Sequence, residues 1–178
     1  QEDYTPEAEF DLDVKKPSVS NVAVDTPIIY EGNLVQVVTV TFDEAMTNTN
    51  FNPILVISAG GTWTNNSGAW SDGDTVWTQT YTLTDANEEA DDVTIDVTGT
   101  KDAYGNVQED YTPEAEFDLD VKKPSVLTVV ADTDPVYEGD LVQVVTVTFD
   151  EAMANVGFNP TITFSAGSTW TNNSGAWS

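Results

Sequence analysis

The sequence predicts an all-β protein built from tandem β-sandwich domains. Apolar and polar residues alternate with period two along several segments, clusters of Gly, Asn and Asp separate those segments, and long helical periodicity is absent. Hydrophobic residues make up 39% of the 178 residues and include 5 Trp, 6 Tyr and 7 Phe, which is enough to build a core. High net charge is otherwise typical of disorder, but disordered acidic chains are poor in aromatic and β-branched residues.

The chain contains an internal repeat with a period of 107 residues. Residues 1–19 recur unchanged as residues 108–126, and the same offset continues without a gap to Ser178. Of the 71 positions paired in this way, 55 are identical. A period of this length fits one ordinary domain and is too long for a solenoid unit.

The Lys-Lys-Pro sequences at residues 15–17 and 122–124 mark the predicted domain boundaries. Proline lacks a backbone donor and extends the residue before it, which suits a short, stiff linker. We therefore expect residues 1–14 to be the last strand of a preceding repeat and residues 15–121 to be a complete repeat. Residues 122–178 are the N-terminal part of the next repeat and lack counterparts of residues 72–107. We expect this part to be poorly stable unless a neighbouring molecule completes it.

Seven antiparallel strands are expected in a complete repeat. In the first they span residues 19–24, 34–42, 53–58, 62–64, 75–84, 92–97 and 115–121. Turn-forming residues separate them, as at residues 65–68 and 72–74. About seven strands in about 100 residues are typical of an immunoglobulin-like β-sandwich. The paired cysteines of antibody domains are absent, so the architecture alone is predicted.

The alternation also predicts which side chains face the core. These are Leu34, Val38, Val40, Phe42, Trp77, Tyr81, Leu83, Val93, Ile95, Val97, Phe117, Leu119 and Val121. The apolar run at residues 54–57 is ambiguous by itself. Its counterpart at residues 161–164 is apolar only at the positions of Leu55 and Ile57, which predicts that these two face inward.

Three short motifs carry a resemblance to a known family. Residues 137–140 (YEGD), 41–46 (TFDEAM) and 101–106 (KDAYGN) resemble bacterial Ig-like repeats. Similar repeats form the extender regions of giant RTX and biofilm-associated surface adhesins. The resemblance implies an extracellular location on a bacterial cell surface, bound calcium that rigidifies the chain, and a spacer that projects a distal adhesive domain. Neighbouring repeats of the same chain are then the expected partners.

Composition excludes several other functions. The chain has no histidine and no cysteine, which excludes histidine-based catalysis, Cys/His zinc sites, thiol nucleophiles and disulfides. With a net charge of −26 and only 5 basic residues, no nucleic-acid partner is expected. No apolar run approaches the roughly 20 residues of a membrane span, so membrane insertion is not expected. Near-identical tandem copies suit a spacer better than a catalyst, so we expect no enzyme.

Acidic loops are expected at both ends of each sandwich, so the facing ends of stacked repeats would repel each other. Hard divalent cations take carboxylate oxygens at about 2.3–2.6 Å, which predicts structural Ca²⁺ at the junctions. The ligands predicted for the junction at residue 14 are Asp11, Asp13, Asp43, Glu44 and Asp102. Those predicted for the junction at residue 121 are Glu31, Asp85, Glu88, Asp118, Asp120, Asp150 and Glu151.

Three alternatives remain open. An acidic surface also keeps proteins soluble in high salt without any specific metal site. The outward row of Thr78, Thr80 and Thr82 is similar to ice-binding surfaces, although threonine is also a favoured residue on a solvated strand face. Exposed Trp63 and Trp70 would suit a glycan ligand, although core packing is the more common role of tryptophan.

Overall fold

The computed structural model describes residues 10–84, 87–154, 156–166 and 169–178, which divide into two compact units, Gln1–Lys122 and Lys123–Ser178. The regular structure in these residues is β-strand, without helix. The strands of the first unit are β1 (Val19–Val24), β2 (Ile28–Tyr30), β3 (Val35–Phe42), β4 (Ile54–Ile57), β5 (Thr62–Ser71), β6 (Val76–Thr84), β7 (Glu89–Thr98) and β8 (Ala115–Asp120).

The first unit consists of two four-stranded sheets. The first sheet has the order β1-β3-β6-β5 and is antiparallel throughout. The second sheet has the order β2-β8-β7-β4 and is mixed, because β2 runs parallel to β8 with Ile28 opposite Asp118. The prediction of seven antiparallel strands therefore missed β2, which is parallel to its neighbour. This strand is only three residues long, too short to show alternation.

One core joins the two sheets, and the predicted inward faces are confirmed. Val38, Val40 and Ile95 are fully buried. Leu55 and Ile57 pack partly buried against the core, while Ile54 and Val56 between them are exposed, as the comparison of the two repeats predicted. This is the arrangement expected of a β-sandwich.

Strand β5 corrects the predicted end of the fourth strand. The prediction stopped at residue 64 and placed a turn at residues 65–68, but β5 continues to Ser71 with a bulge between Asn65 and Ser67. Gln79 on the neighbouring strand donates hydrogen bonds to the Asn65 side chain and the Ser67 carbonyl. These hydrogen bonds satisfy polar groups at the bulge, so residues that usually form turns remain in the sheet.

The second unit contains two antiparallel strands in its described part, β9 (Val126–Ala131) and β10 (Val145–Phe149). Their core-facing positions are less covered than in the first unit. Val145, for example, is partly exposed, while its counterpart Val38 is fully buried.

The segment before the linker was predicted to be a strand of a preceding repeat. Residues 1–9 lie outside the described residues, and residues 10–14 are not in a strand. Phe10 is 80% exposed, whereas Phe117, at the same place in the next copy of this sequence, is 4% exposed within β8. The described residues contain no helix with the length and apolarity needed to cross a membrane.

Candidate metal centre at the linker

The linker is held against the end of β3. The Ser18 amide donates to Asp43 Oδ1 at 2.7 Å, and the Asp43 amide donates to the Ser18 carbonyl at 3.0 Å. On the other side, the Glu109 amide donates to the Pro17 carbonyl at 2.8 Å. These bonds fix the chain just after Asp13 relative to the loops that follow β3 and β7.

A tight turn after β7 supplies the most buried carboxylate. Asp102 is only 2% exposed, and its Oδ1 accepts the backbone amides of Tyr104 at 2.9 Å and Asn106 at 2.8 Å. Its Oδ2 accepts Asn106 Nδ2 at 2.7 Å. Gly105 closes the turn with a φ of 96°, a conformation that glycine adopts without strain.

The same turn is bridged to the loop after β3. Met46 pairs with Asp102 in an isolated β-bridge, and the Thr47 amide donates to the Lys101 carbonyl at 2.8 Å. This pairing brings Glu44 beside Asp102.

Three carboxylates converge at this point. Asp13 precedes the linker, Glu44 follows β3 and Asp102 follows β7, and oxygens of all three lie within 4.8 Å of one another. Among the described residues, no other group of three or more acidic side chains converges this closely. Because Asp13 lies on the far side of the linker from the other two, the group ties the preceding segment to the repeat.

Hydrogen bonds lower the pKa of two carboxyl groups at this end of the unit. Burial raises the pKa of the Asp102 carboxyl, but hydrogen bonds from the Asn106 side chain and from the amides of Asn106 and Tyr104 outweigh burial and leave the pKa below its usual range. Burial likewise raises the pKa of Asp43, but hydrogen bonds from Lys15 and Ser18 outweigh it and lower the pKa. The hydrogen bond to Asp43 raises the pKa of Lys15, which therefore stays charged.

The donor set fits a hard divalent cation. All three carboxylates offer oxygen ligands, which Ca²⁺ prefers, and backbone carbonyls or water can complete its six to eight ligands. Glu44 Oε1 is buried and accepts no hydrogen bond, and its ion-pair partner is Lys15, whose Nζ lies 3.5 Å away. Asn106 is adjacent, with its Nδ2 3.4 Å from the Asp13 carbonyl.

The other ligands predicted for this junction lie outside the group. Asp11 is exposed. Asp43 is held by Ser18 and by Lys15, whose Nζ lies 2.6 Å from Asp43 Oδ2. The structure thus brings together three of the five predicted residues.

The ligands predicted for the second junction do not form such a group where they are described. Asp120 neighbours Tyr30 across the sheet, and the Val121 amide donates to the Glu88 carbonyl, which places Glu31, Glu88 and Asp120 at one end of the second sheet. Asp118 Oδ1 accepts the Asp92 amide at 3.0 Å.

The remaining predicted ligands of the second junction are Asp85, Asp150 and Glu151. Asp85 lies outside the described residues. Asp150 and Glu151 belong to the second unit, where Asp150 accepts bonds from the Ser125 amide and hydroxyl.

Sequence reasoning left out two residues of this centre, Lys15 and Asn106. The spacing of Asp102 and Asn106 around Gly105 is a turn signal that could have identified Asn106 as the residue that holds Asp102 in place. Lys15 belongs to the linker in sequence, and its position beside Asp43 and Glu44 depends on contacts across 28 residues or more.

A second feature lies on the outside of the first sheet. None of its four strands contains a charged residue, whereas β7 and β8 of the other sheet carry Glu89, Asp91, Asp92, Asp96, Glu116, Asp118 and Asp120. The threonine row of β6 is extended sideways, because Thr39 is opposite Thr78 and Thr64 is opposite Thr82. We call this outer surface of β1, β3, β6 and β5 the neutral face.

The two tryptophans considered for glycan binding pack against the core. Trp63 contacts Tyr81 and Phe117 edge-on, and its Nε1 donates to the Ala59 carbonyl at 2.8 Å. Trp70 packs on Phe42 and Trp77. Both rings are partly buried, which is the common role of tryptophan in a small sandwich.

No protein-family model, curated protein or solved structure matches the chain.

Proposed function

We propose that the chain is an extender segment of a bacterial cell-surface adhesin: tandem immunoglobulin-like repeats with a period of 107 residues, located outside the cell and stiffened by Ca²⁺ at their junctions. The observation that carries the proposal is the convergence of Asp13, Glu44 and Asp102 across the linker. A cation held by all three fixes the segment before the linker to the repeat after it.

Charge supports the same role. The net charge of −26 makes the approach of successive acidic domains unfavourable, since two charges about 4 Å apart repel by about 1 kcal/mol even in water. A divalent cation between the carboxylates reverses this repulsion. Each repeat then contacts only its neighbours, so length and stiffness grow with copy number.

The second junction would use Glu31, Asp85, Glu88, Asp118 and Asp120 of one repeat with Asp150 and Glu151 of the next. The unit of residues 123–178 would be completed by strands equivalent to β6, β7 and β8 from a neighbouring segment or molecule.

Thermal unfolding in EGTA and in a few millimolar CaCl₂ tests the proposal, with MgCl₂ and NaCl at matched ionic strength as controls. Calcium binding only the folded state adds RT ln(1 + [L]/Kd), about 2.7 kcal/mol at a hundredfold excess over Kd, so Tm should rise with calcium alone. An equal rise with magnesium or NaCl would contradict the proposal and favour general salt adaptation.

Two variants test whether the calcium-dependent rise in Tm comes from this centre. Glu44→Gln removes one charge from the centre and should abolish most of the calcium-dependent rise that the centre produces. Asp96→Asn removes the same charge from the outer face of β7, outside the converging group, and should leave the rise unchanged. A full rise in Glu44→Gln would place the calcium elsewhere.

The neutral face favours a second candidate function, in which the repeat itself binds an uncharged surface such as ice or a neutral glycan. A four-stranded array of Thr, Ser, Asn, Val and Ala without charge is unusual in so acidic a chain, and the threonines of β3, β6 and β5 are neighbours across it. Thr80→Glu should abolish binding to ice or to a glycan array, while Thr94→Glu on the acidic sheet should not. Absence of binding by the unchanged chain would remove this candidate.

A further inference from the structure

We propose that the Lys15 ammonium group competes with Ca²⁺ for the carboxylates of the Asp13–Glu44–Asp102 centre. This competition sets the affinity of the centre for Ca²⁺. The inference rests on the proposed function, because it concerns the same centre. It adds a residue that neither the ligand prediction nor the resemblance includes.

Lys15 is tethered to one acidic residue of the centre and lies against another. It follows Asp13 by two residues, and its backbone amide donates to Asp13 Oδ1 at 3.3 Å. Its ammonium nitrogen lies 3.5 Å from Glu44 Oε1 and 2.6 Å from Asp43 Oδ2. A positive charge is therefore held at the edge of the carboxylate group by the chain itself.

A metal ion and this ammonium group compete for Glu44. Ca²⁺ requires its oxygen ligands at about 2.3–2.6 Å, so an ion bound to Glu44 Oε1 would lie only a few ångströms from the Lys15 ammonium. Two positive charges at that separation repel each other. Because Glu44 Oε1 is buried, its approaches are restricted, and Lys15 must withdraw for the ion to bind at full strength.

Lys15 has a second acidic partner and is exposed enough to move away from Glu44. Its closer partner is Asp43, which is fixed by the Ser18 amide and lies outside the converging group. The Lys15 side chain is 62% exposed, so its ammonium is solvated when it leaves Glu44. Exposed ion pairs of this kind are weak, so the competition tunes calcium affinity without preventing binding.

Lys16 provides a matched control. It carries the same charge one residue further along the linker, is exposed, and is not paired with the carboxylates by any ion pair found among the described residues. Removing the Lys16 charge changes the long-range electrostatic field by about as much as removing the Lys15 charge. Salt screens that field within about 8 Å at physiological ionic strength.

Calcium titration by calorimetry of the 178-residue chain, in its unchanged form and as Lys15→Met and Lys16→Met, tests the inference. Each of the three forms is also titrated with the additional substitution Glu44→Gln. The binding heat that disappears on this substitution comes from the centre. Lys15→Met should bind calcium there about fivefold more tightly, and Lys16→Met should differ from the unchanged chain by less than about twofold. Tm in EGTA verifies that all variants are folded.

The outcomes separate the two proposals. If the unchanged chain binds calcium at the centre and Lys15→Met binds it with the same affinity, the competition is overturned while the proposed function stands. Equal tightening in Lys15→Met and Lys16→Met also overturns it, because general charge would then explain the gain. If no form binds calcium at this centre, the proposed junction site fails, and Lys15 has no cation to compete with.

Discussion

At the scale of single residues, identical sequence stretches allow one environment to be compared with another. Gly68 and Gly175 occupy the same position in the sequence TWTNNSGAWS. A Cβ at Gly68 would overlap the Trp77 ring and Gln79 Oε1, whereas a Cβ at Gly175 meets nothing within 4 Å. Glycine is therefore required by packing at only one of the two positions.

Gly68→Ala should destabilise the first unit by about 1–3 kcal/mol, because the added methyl group overpacks the core beside Trp77. Gly175→Ala should change stability by less than about 0.5 kcal/mol. Urea unfolding followed by the methyl NMR signals of Ile95 in the first unit and of Val145 in the second measures the two effects separately. Equal effects of the two substitutions would show that backbone propensity, and not the Trp77 contact, is responsible.

Asp102 gives the first unit a dependence on acid pH. Its pKa is lowered in the folded state, so its contribution to stability is fully present above the unfolded pKa of about 3.9 and is lost as the pH falls through the folded pKa. In EGTA, Asp102→Asn should therefore lose stability less steeply than the unchanged chain below about pH 4. Urea unfolding at several pH values measures this slope. Parallel curves would contradict the role of Asp102, and Asp96→Asn serves as the control for charge.

At the scale of elements, neighbours decide how an identical strand behaves. Residues 34–46 and 141–153 have the same sequence. In the first unit this sequence forms β3, an eight-residue strand between β1 and β6. In the second it forms β10, a five-residue strand paired with β9 in a two-stranded sheet.

Amides of β10 should exchange with solvent at least about tenfold faster than their β3 counterparts, because β3 is protected on both edges and packs in a core. The intrinsic exchange rates of the two stretches are equal, so the ratio reports protection alone. NMR is required, since peptides of identical sequence have identical mass. Equal protection of Val145 and Val38 would show that β10 is completed in solution by another strand.

At the scale of the whole chain, the two units have different numbers of strands around their cores. The first has two sheets and a buried core, while the described part of the second has one two-stranded sheet. Two-stranded sheets without further packing are only marginally stable in water.

Unfolding of the chain should therefore occur in two separate steps. Methyl and amide NMR signals of the second unit should be lost at lower temperature than that of Ile95 in the first. A single coincident transition at all signals would contradict this expectation and would indicate that the second unit is stabilised by association. Repeating the melt at several protein concentrations distinguishes intermolecular completion, since only an association would raise Tm with concentration.

Part of the candidate site was predictable from sequence. Successive strands of a sandwich run in alternating directions, which places the loops after β3 and β7 at one end. This was enough to associate Glu44 with Asp102. The exact partners were not predictable, because the linker hydrogen bonds between Ser18 and Asp43 decide where Asp13 and Lys15 point. Likewise, Asp11 and Asp13 are two residues apart, a spacing that would place both on one face of a strand. Only Asp13 belongs to the carboxylate group.

The all-β class, the repeat, the acidic character and the inward face of each long strand were predictable from the sequence alone, because alternation with period two is a local property of the chain. Tertiary structure alone decided which copies of the same sequence become strands. TWTNNSGAWS forms β5 beside β6, while residues 169–178 with the same sequence form no strand. FDLDV enters β8 and continues to buried Val121 in one copy, whereas its apolar residues Phe10, Leu12 and Val14 are exposed in the other. Strand pairing is non-local, so a strand forms only where the fold supplies its neighbour.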